Sequence, residues 1–164
     1  MVYRQNVERI VRKALERALF QAIPDLHLAV PLEARGGEAY EGGKFPIWWP
    51  NFNFYDKKNE SKPGHYCRFT NHPSPPRTRT LGANPQTLMR GHCLIGCFVP
   101  EGDGEDSADD LANVVLSAYP LHAVLSLEGF DTYIESVDSK PPFGSLGRYY
   151  KPIHINWSCW RTEP

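Results

Sequence analysis

Between residues 6 and 21 the apolar positions Val7, Ile10, Val11, Ala14, Leu15, Ala18 and Leu19 recur at the i, i+3, i+4, i+7 spacing of a helix that buries one stripe. Glu8, Arg9, Arg12, Lys13, Glu16 and Arg17 occupy the opposite, solvated side. Asn6 is placed to cap the start and Pro24 to close the end. Beyond Pro24 the period shortens to that of extended chain. A strand is predicted over His27 to Leu32, followed by a Gly-rich arm from Ala34 to Lys44. Phe45 to Tyr55 carries Trp48 and Trp49 ahead of Pro50, then Phe52 and Phe54 on one side of an alternating strand. His65 to Thr70 alternates with Cys67 and Phe69 on one face and Tyr66 and Arg68 on the other, and the two segments read as a hairpin.

From Asn71 to Thr87 the chain holds Pro73, Pro75, Pro76 and Pro85, which withhold ladder donors, so a surface loop is expected there. Leu88 to Val99 is the longest strand candidate and reads as central. Met89, Cys93, Ile95, Cys97 and Val99 lie on one face, with Arg90, His92, Leu94 and Phe98 on the other. Pro100 to Asp106 turns through Gly102 and Gly104 into a second helix, Ser107 to Tyr119. There Ser107 and Asp110 match a capping box, and Leu111, Val114, Val115 and Ala118 form the stripe. Phe130 to Val137 and Pro152 to Trp160 supply two more strands, the latter with Ile153, Ile155, Trp157 and Cys159 on one face, and Asp138 to Arg148 is loop. Helix, strands, helix, strands predicts a single α+β domain over 1–164. Its mainly antiparallel sheet has about five strands, with two helices on one face and long loops.

Composition narrows the function classes. The 164 residues suffice for one ordinary core but not two. Lys plus Arg is 18 against 19 for Asp plus Glu, and a net charge of −1 creates no global attraction to nucleic acid or anionic lipid. No apolar run approaches a membrane span. The opening Met1-Val2-Tyr3-Arg4-Gln5-Asn6 has no apolar signal core, so a cytosolic, reducing setting is expected, in which Cys67, Cys93, Cys97 and Cys159 stay thiols.

Metal chemistry fits poorly. Cys93 and Cys97 share a strand face but sit roughly 13 Å apart at about 3.3 Å per residue, too far for one zinc ion, so core thiols are the expectation. No GxSxG, P-loop, GxGxxG, CxxC or HExxH occurs. Catalytic residues, cofactors and metal are therefore expected to be none. Glu101, Asp103, Glu105, Asp106, Asp109 and Asp110 place six carboxylates in ten residues. They could attract Mg²⁺ or Ca²⁺, but a solvated helix start explains them as well. Between Lys57 and Arg90, Lys57, Lys58, Lys62, Arg68, Arg77, Arg79 and Arg90 face only Glu60. Such a stretch suits a nucleic-acid-binding module, or a contact with the acidic segment of a neighbouring subunit. Trp48 and Trp49 point oppositely if extended, so one is buried and the other is offered to a partner or to loop packing.

Three short motifs join this element order: Trp49-Pro50-Asn51 closing a strand, a strand-Pro-x-Gly-x-Gly-helix step at Pro100 to Gly104, and a last strand after Arg148-Tyr149-Tyr150. Together they resemble the tail terminator, or tail completion, proteins of long-tailed bacteriophages over residues 1 to 160. The resemblance implies a non-enzymatic virion protein without catalytic residues. It implies a ring, usually hexameric, that caps the tail tube and presents a surface to the head connector. The partners would be copies of itself, the tail tube protein and the head–tail connector protein, with no membrane and no sequence-specific nucleic acid, though DNA passes through the ring. The chain would sit in the virion tail and, during assembly, in the host cytoplasm. The candidate subunit-interface residues are Trp48, Trp49, Arg77, Arg79, Asp103, Glu105 and Asp106.

Overall fold

A computed structural model describes residues 2–29, 47–49, 65–83, 85–102, 104–145 and 147–162. Two long strands at the middle of the sheet organise the rest: β4 (Gln86–Pro100) and β8 (Arg148–Thr162) pair antiparallel over fifteen residues, from Gln86↔Thr162 to Pro100↔Arg148. On the far side of β4 runs β2 (Tyr66–Pro73), antiparallel, with the two-residue β1 (Ile47–Trp48) beyond it. On the far side of β8 lie β6 (Phe130–Ser139) and then β5 (Val124–Leu127), giving the order β1-β2-β4-β8-β6-β5. Short strands β3 (Arg77–Thr78) and β7 (Phe143–Ser145) add to β4 and β8. The architecture is mixed α and β around a curled, mainly antiparallel sheet.

The alternation read from the sequence holds along both central strands. Met89, Cys93, Ile95, Cys97 and Val99 are fully buried, as are Ile153, Ile155, Trp157 and Cys159. They form one cluster with Cys67, Phe69 and Ile134 from the sheet. Val7, Val11, Leu15 and Leu19 join it from α1 (Val2–Gln21), and Ala108, Leu111, Ala112 and Val115 from α3 (Gly104–Ala118). Tyr119, just past α3, is buried and donates its hydroxyl to the Leu15 carbonyl at 2.7 Å, a bond that ties the end of one helix to the middle of another. Trp157 is likewise anchored, its Nε1–H donating to Asn71 Oδ1 at 2.8 Å. A Cβ added at Gly91 would lie 2.4 Å from the Trp157 ring, so only glycine leaves room for it.

Several expectations are corrected. Pro24 does not end the helical region. The chain breaks at Ala22 and re-enters α2 (Ile23–Ala29), because proline in a first turn gives up only a donor that has no partner there. The strand expected from His27 is therefore helix at 27–29, and 30–32 lie outside the described residues, as does the 34–44 arm. Trp48 pairs parallel with Arg68, so this segment and β2 are no hairpin; Phe52 and Phe54 are outside the described residues. The 71–87 stretch is not all loop: β2 continues to Pro73 and β3 pairs with β4 through Arg77↔Leu88 and Thr78↔Thr87. Prolines at strand ends and between strands cost no ladder bond. Ser107 lies inside α3, which begins three residues earlier, so it does not cap the helix.

One more strand, β7, interrupts the loop expected over 138–148, and β5 is joined to β6 through Glu128 and Gly129. Both have positive φ, 50° and 81°, as a two-residue type I′ hairpin turn requires. A register shift between Ile134 and Ser136 makes a bulge in β6.

Candidate interface surfaces

The expected interface residues fall on three separate parts of the molecule. Trp48 lies in β1; its side chain is outside the described residues. Trp49 is half-buried, its ring 5.5 Å from that of Phe69 and inclined at 55°. With Lys13, Glu16, Arg17 and Phe20 of α1 it lines an open cleft of about 380 Å³. Burial raises the Glu16 carboxyl above its ordinary value, opposed by Arg12, 3.5 Å away, and by Lys13. Phe20 is half exposed at the cleft margin.

Arg77 and Arg79 lie on and beside β3, both exposed, where the Arg79 N–H donates to the Gln86 carbonyl at 2.9 Å. The hairpin they belong to ends at Leu81, 98% exposed. Glu105 and Asp106 occupy the first turn of α3, and Asp103 is outside the described residues. This acidic start is partly neutralised by β8: the Tyr149 hydroxyl donates to Glu105 Oε1 at 3.1 Å, and Lys151 Nζ binds Asp109 Oδ1. Asp106 is exposed. β3 pairs with the beginning of β4, whereas α3 follows its end. Leu88 and Pro100 are separated by roughly 40 Å of extended strand at about 3.3 Å per residue. The basic hairpin and the acidic turn thus sit at opposite ends of the sheet of one molecule.

The outer face of the sheet carries two groups that periodicity alone did not assemble. Registers Tyr66↔Phe98↔Tyr150↔Phe143 line up four rings across β2, β4, β8 and β7, with centroid spacings of 4.6, 4.6 and 5.0 Å. The Arg148 guanidinium lies 5.1 Å over the Tyr66 ring. Two residues from Phe98, Gly96 leaves the space that Tyr150 fills. Further along, His72 and His92 are directly opposite with rings 4.9 Å apart. Burial, then His72, then His154 hold His92 below its ordinary value. Alternation had placed Phe98 and His92 outward; what it lacked was the register that sets them beside Tyr66 and His72. Among the described residues, no group of three or more His, Cys, Asp or Glu is arranged to hold a metal ion, and no helix is long and apolar enough to cross a membrane.

No curated protein matches the sequence. A solved structure 21% identical in sequence superposes with a TM-score of 0.58 over 86% of this chain and 97% of its own, so the fold is shared. The family described as phage tail terminator protein matches residues 11–157, a span running from the first helix through both central strands to Trp157. The chain therefore belongs to the phage tail terminator family, whose members are structural proteins of the virion tail.

Proposed function

We propose that this chain is the subunit of a homo-oligomeric ring, a hexamer, that seats on the tail tube, ends its polymerisation and offers its other face to the head–tail connector. Family membership over most of the chain carries this reading. The separation of charge supports it: Arg77 and Arg79 cannot reach the acidic start of α3 in the same molecule, so a contact between them joins two copies. Such a contact is heterologous, and it closes a ring when the rotation between neighbours divides a full turn. Exposed ion pairs contribute only about 0–1 kcal/mol each. The half-buried Trp49 cleft and the exposed hairpin tip at Leu81 would therefore supply strength, and charge would set register. The ring assembles in the host cytoplasm, contacts the tube protein on one side and the connector on the other, and lets DNA pass without reading its sequence.

Light scattering at low and high salt, with and without tail tube protein, tests the ring. A ring mass is expected in at least one of these conditions, and a monomer in all of them overturns the proposal. Reversing Arg77 and Arg79 to Glu should weaken assembly while moving monomer stability by less than about 0.5 kcal/mol. Asp103→Lys with Asp106→Lys in the same chain should partly restore it. If the reversed chain assembles like the parent at both salts, the two patches do not meet.

A further inference from the structure

The four cysteines are buried free thiols, but only two of them face each other. Cys67 and Cys97 are directly opposite in the β2–β4 ladder. Cys93 stands between Asn71 and Ile155, and Cys159 between Met89 and Thr132. The ladder also settles which kind of pair they make. The Ser74 N–H donates to the Arg90 carbonyl at 2.8 Å, while Pro73, paired with Gly91, has no N–H to give. Antiparallel pairs alternate between hydrogen-bonded and open, so Pro73↔Gly91, Asn71↔Cys93, Phe69↔Ile95 and Cys67↔Cys97 are all open pairs. Open pairs bring Cα atoms to about 4.5 Å, within the roughly 4.4–6.8 Å that a disulfide spans. Both side chains point to the buried face, where each is fully buried.

We propose that Cys67 and Cys97 are a modification site that closes to a cross-strand disulfide on exposure to a peroxide-class oxidant, tying β2 to β4. One sulfur, as thiolate, attacks a peroxide oxygen. The O–O bond breaks, a sulfenic acid forms and, with one proton, the first water leaves. The second sulfur then attacks the sulfenic sulfur: S–S forms, S–O breaks and the second water departs. Two thiols give two electrons to one peroxide, and two waters result. The contact with Cys97 and burial hold the Cys67 thiol protonated at neutral pH, so the first attack waits on opening of the ladder near its Tyr66 end. The linkage would fix a strand that, among the described residues, is otherwise held by β4 on one side and by the two-residue β1 on the other.

The test treats the full chain with hydrogen peroxide in sub-denaturing urea, removes the urea, and counts thiols after denaturation. The expected count falls from four to two. Peptide mapping should show one intramolecular crosslink joining Cys67 to Cys97, and dithiothreitol should restore four thiols. The oxidised chain should melt at a higher temperature than the reduced one. The Cys93→Ala/Cys159→Ala chain should form the same crosslink, and Cys97→Ala should form none. Four thiols remaining, a crosslink between any other pair, sulfinic acid at either position in place of the bond, or an oxidised chain of lower melting temperature would each overturn the proposal.

Discussion

The two faces of β4 are built from the same backbone and behave differently. Inward, Met89, Cys93, Ile95, Cys97 and Val99 are fully buried and apolar or nearly so. Outward, Arg90 and His92 are exposed, and Leu94 and Phe98 are half-buried. Inward positions answer to volume and dryness, since each side chain touches many others and a charge there has no partner. Outward positions answer to their cross-strand neighbours: His92 to His72, Phe98 to Tyr66 and Tyr150. The inner face therefore holds the fold together, while the outer face is shaped by pairwise contacts between neighbouring strands.

The strongest challenge to this contrast is a charge in the core. Leu15 is fully buried and its carbonyl accepts the Tyr119 hydroxyl, so Leu15→Asp should cost about 4 kcal/mol or more by burying an unpaired carboxylate. The same change at half-buried Leu94 on the outer face should cost clearly less, because the carboxylate keeps water. Equal urea midpoints for the two variants would erase the distinction.

A steric change sharpens the description of the outer face. A Cβ at Gly96 would lie 2.4 Å from Tyr150 Cε2 and 2.9 Å from Phe98 Cε2. Gly96→Ala should therefore displace the row of rings, costing about 1–3 kcal/mol as overpacking does, and alter the near-UV circular dichroism. An unchanged spectrum at unchanged stability would mean the rings are not packed as described.

The smallest effect is electrostatic. His92 is held below its ordinary value of 6.5 by burial, then by His72 and His154. Its outer-face surroundings also include Arg90, which pairs with Glu135 at 3.7 Å, and Asp138, opposite His154. A histidine depressed in the folded state binds its proton better when unfolded. Its contribution is thus complete above about pH 6.5 and declines as the pH falls through the window below that value. His92→Gln should flatten this decline relative to the parent, by less than either change above, in melting temperatures taken from pH 7.5 to 5. A steeper decline would place the cause elsewhere.

How much of this was legible beforehand follows from what each signal depends on. Side-chain alternation is local, so the buried faces of β4 and β8 and the stripe of α1 could be read directly from residues such as Cys93, Ile95, Ile155 and Leu15. The short pieces β3, β5 and β7 could not, because two to four residues carry too little period and exist only by pairing with a longer strand. Pro24 misled, because a proline that ends one helix also suits the first turn of the next. Of the candidate interface, residue types and charge signs were visible. That Arg77 and Glu105 stand at opposite ends of one sheet was not, since it depends on which end of β4 each one joins. The sequence by itself determined which residues go inside, through periodicities of 2 and 3.6 that the backbone geometry imposes. Only the tertiary structure decided register and strand order. Those set Cys67 against Cys97, His72 against His92 and Tyr66 in line with Phe143, because pairing between distant segments is settled by the packing of the whole sheet and not by any one segment of it.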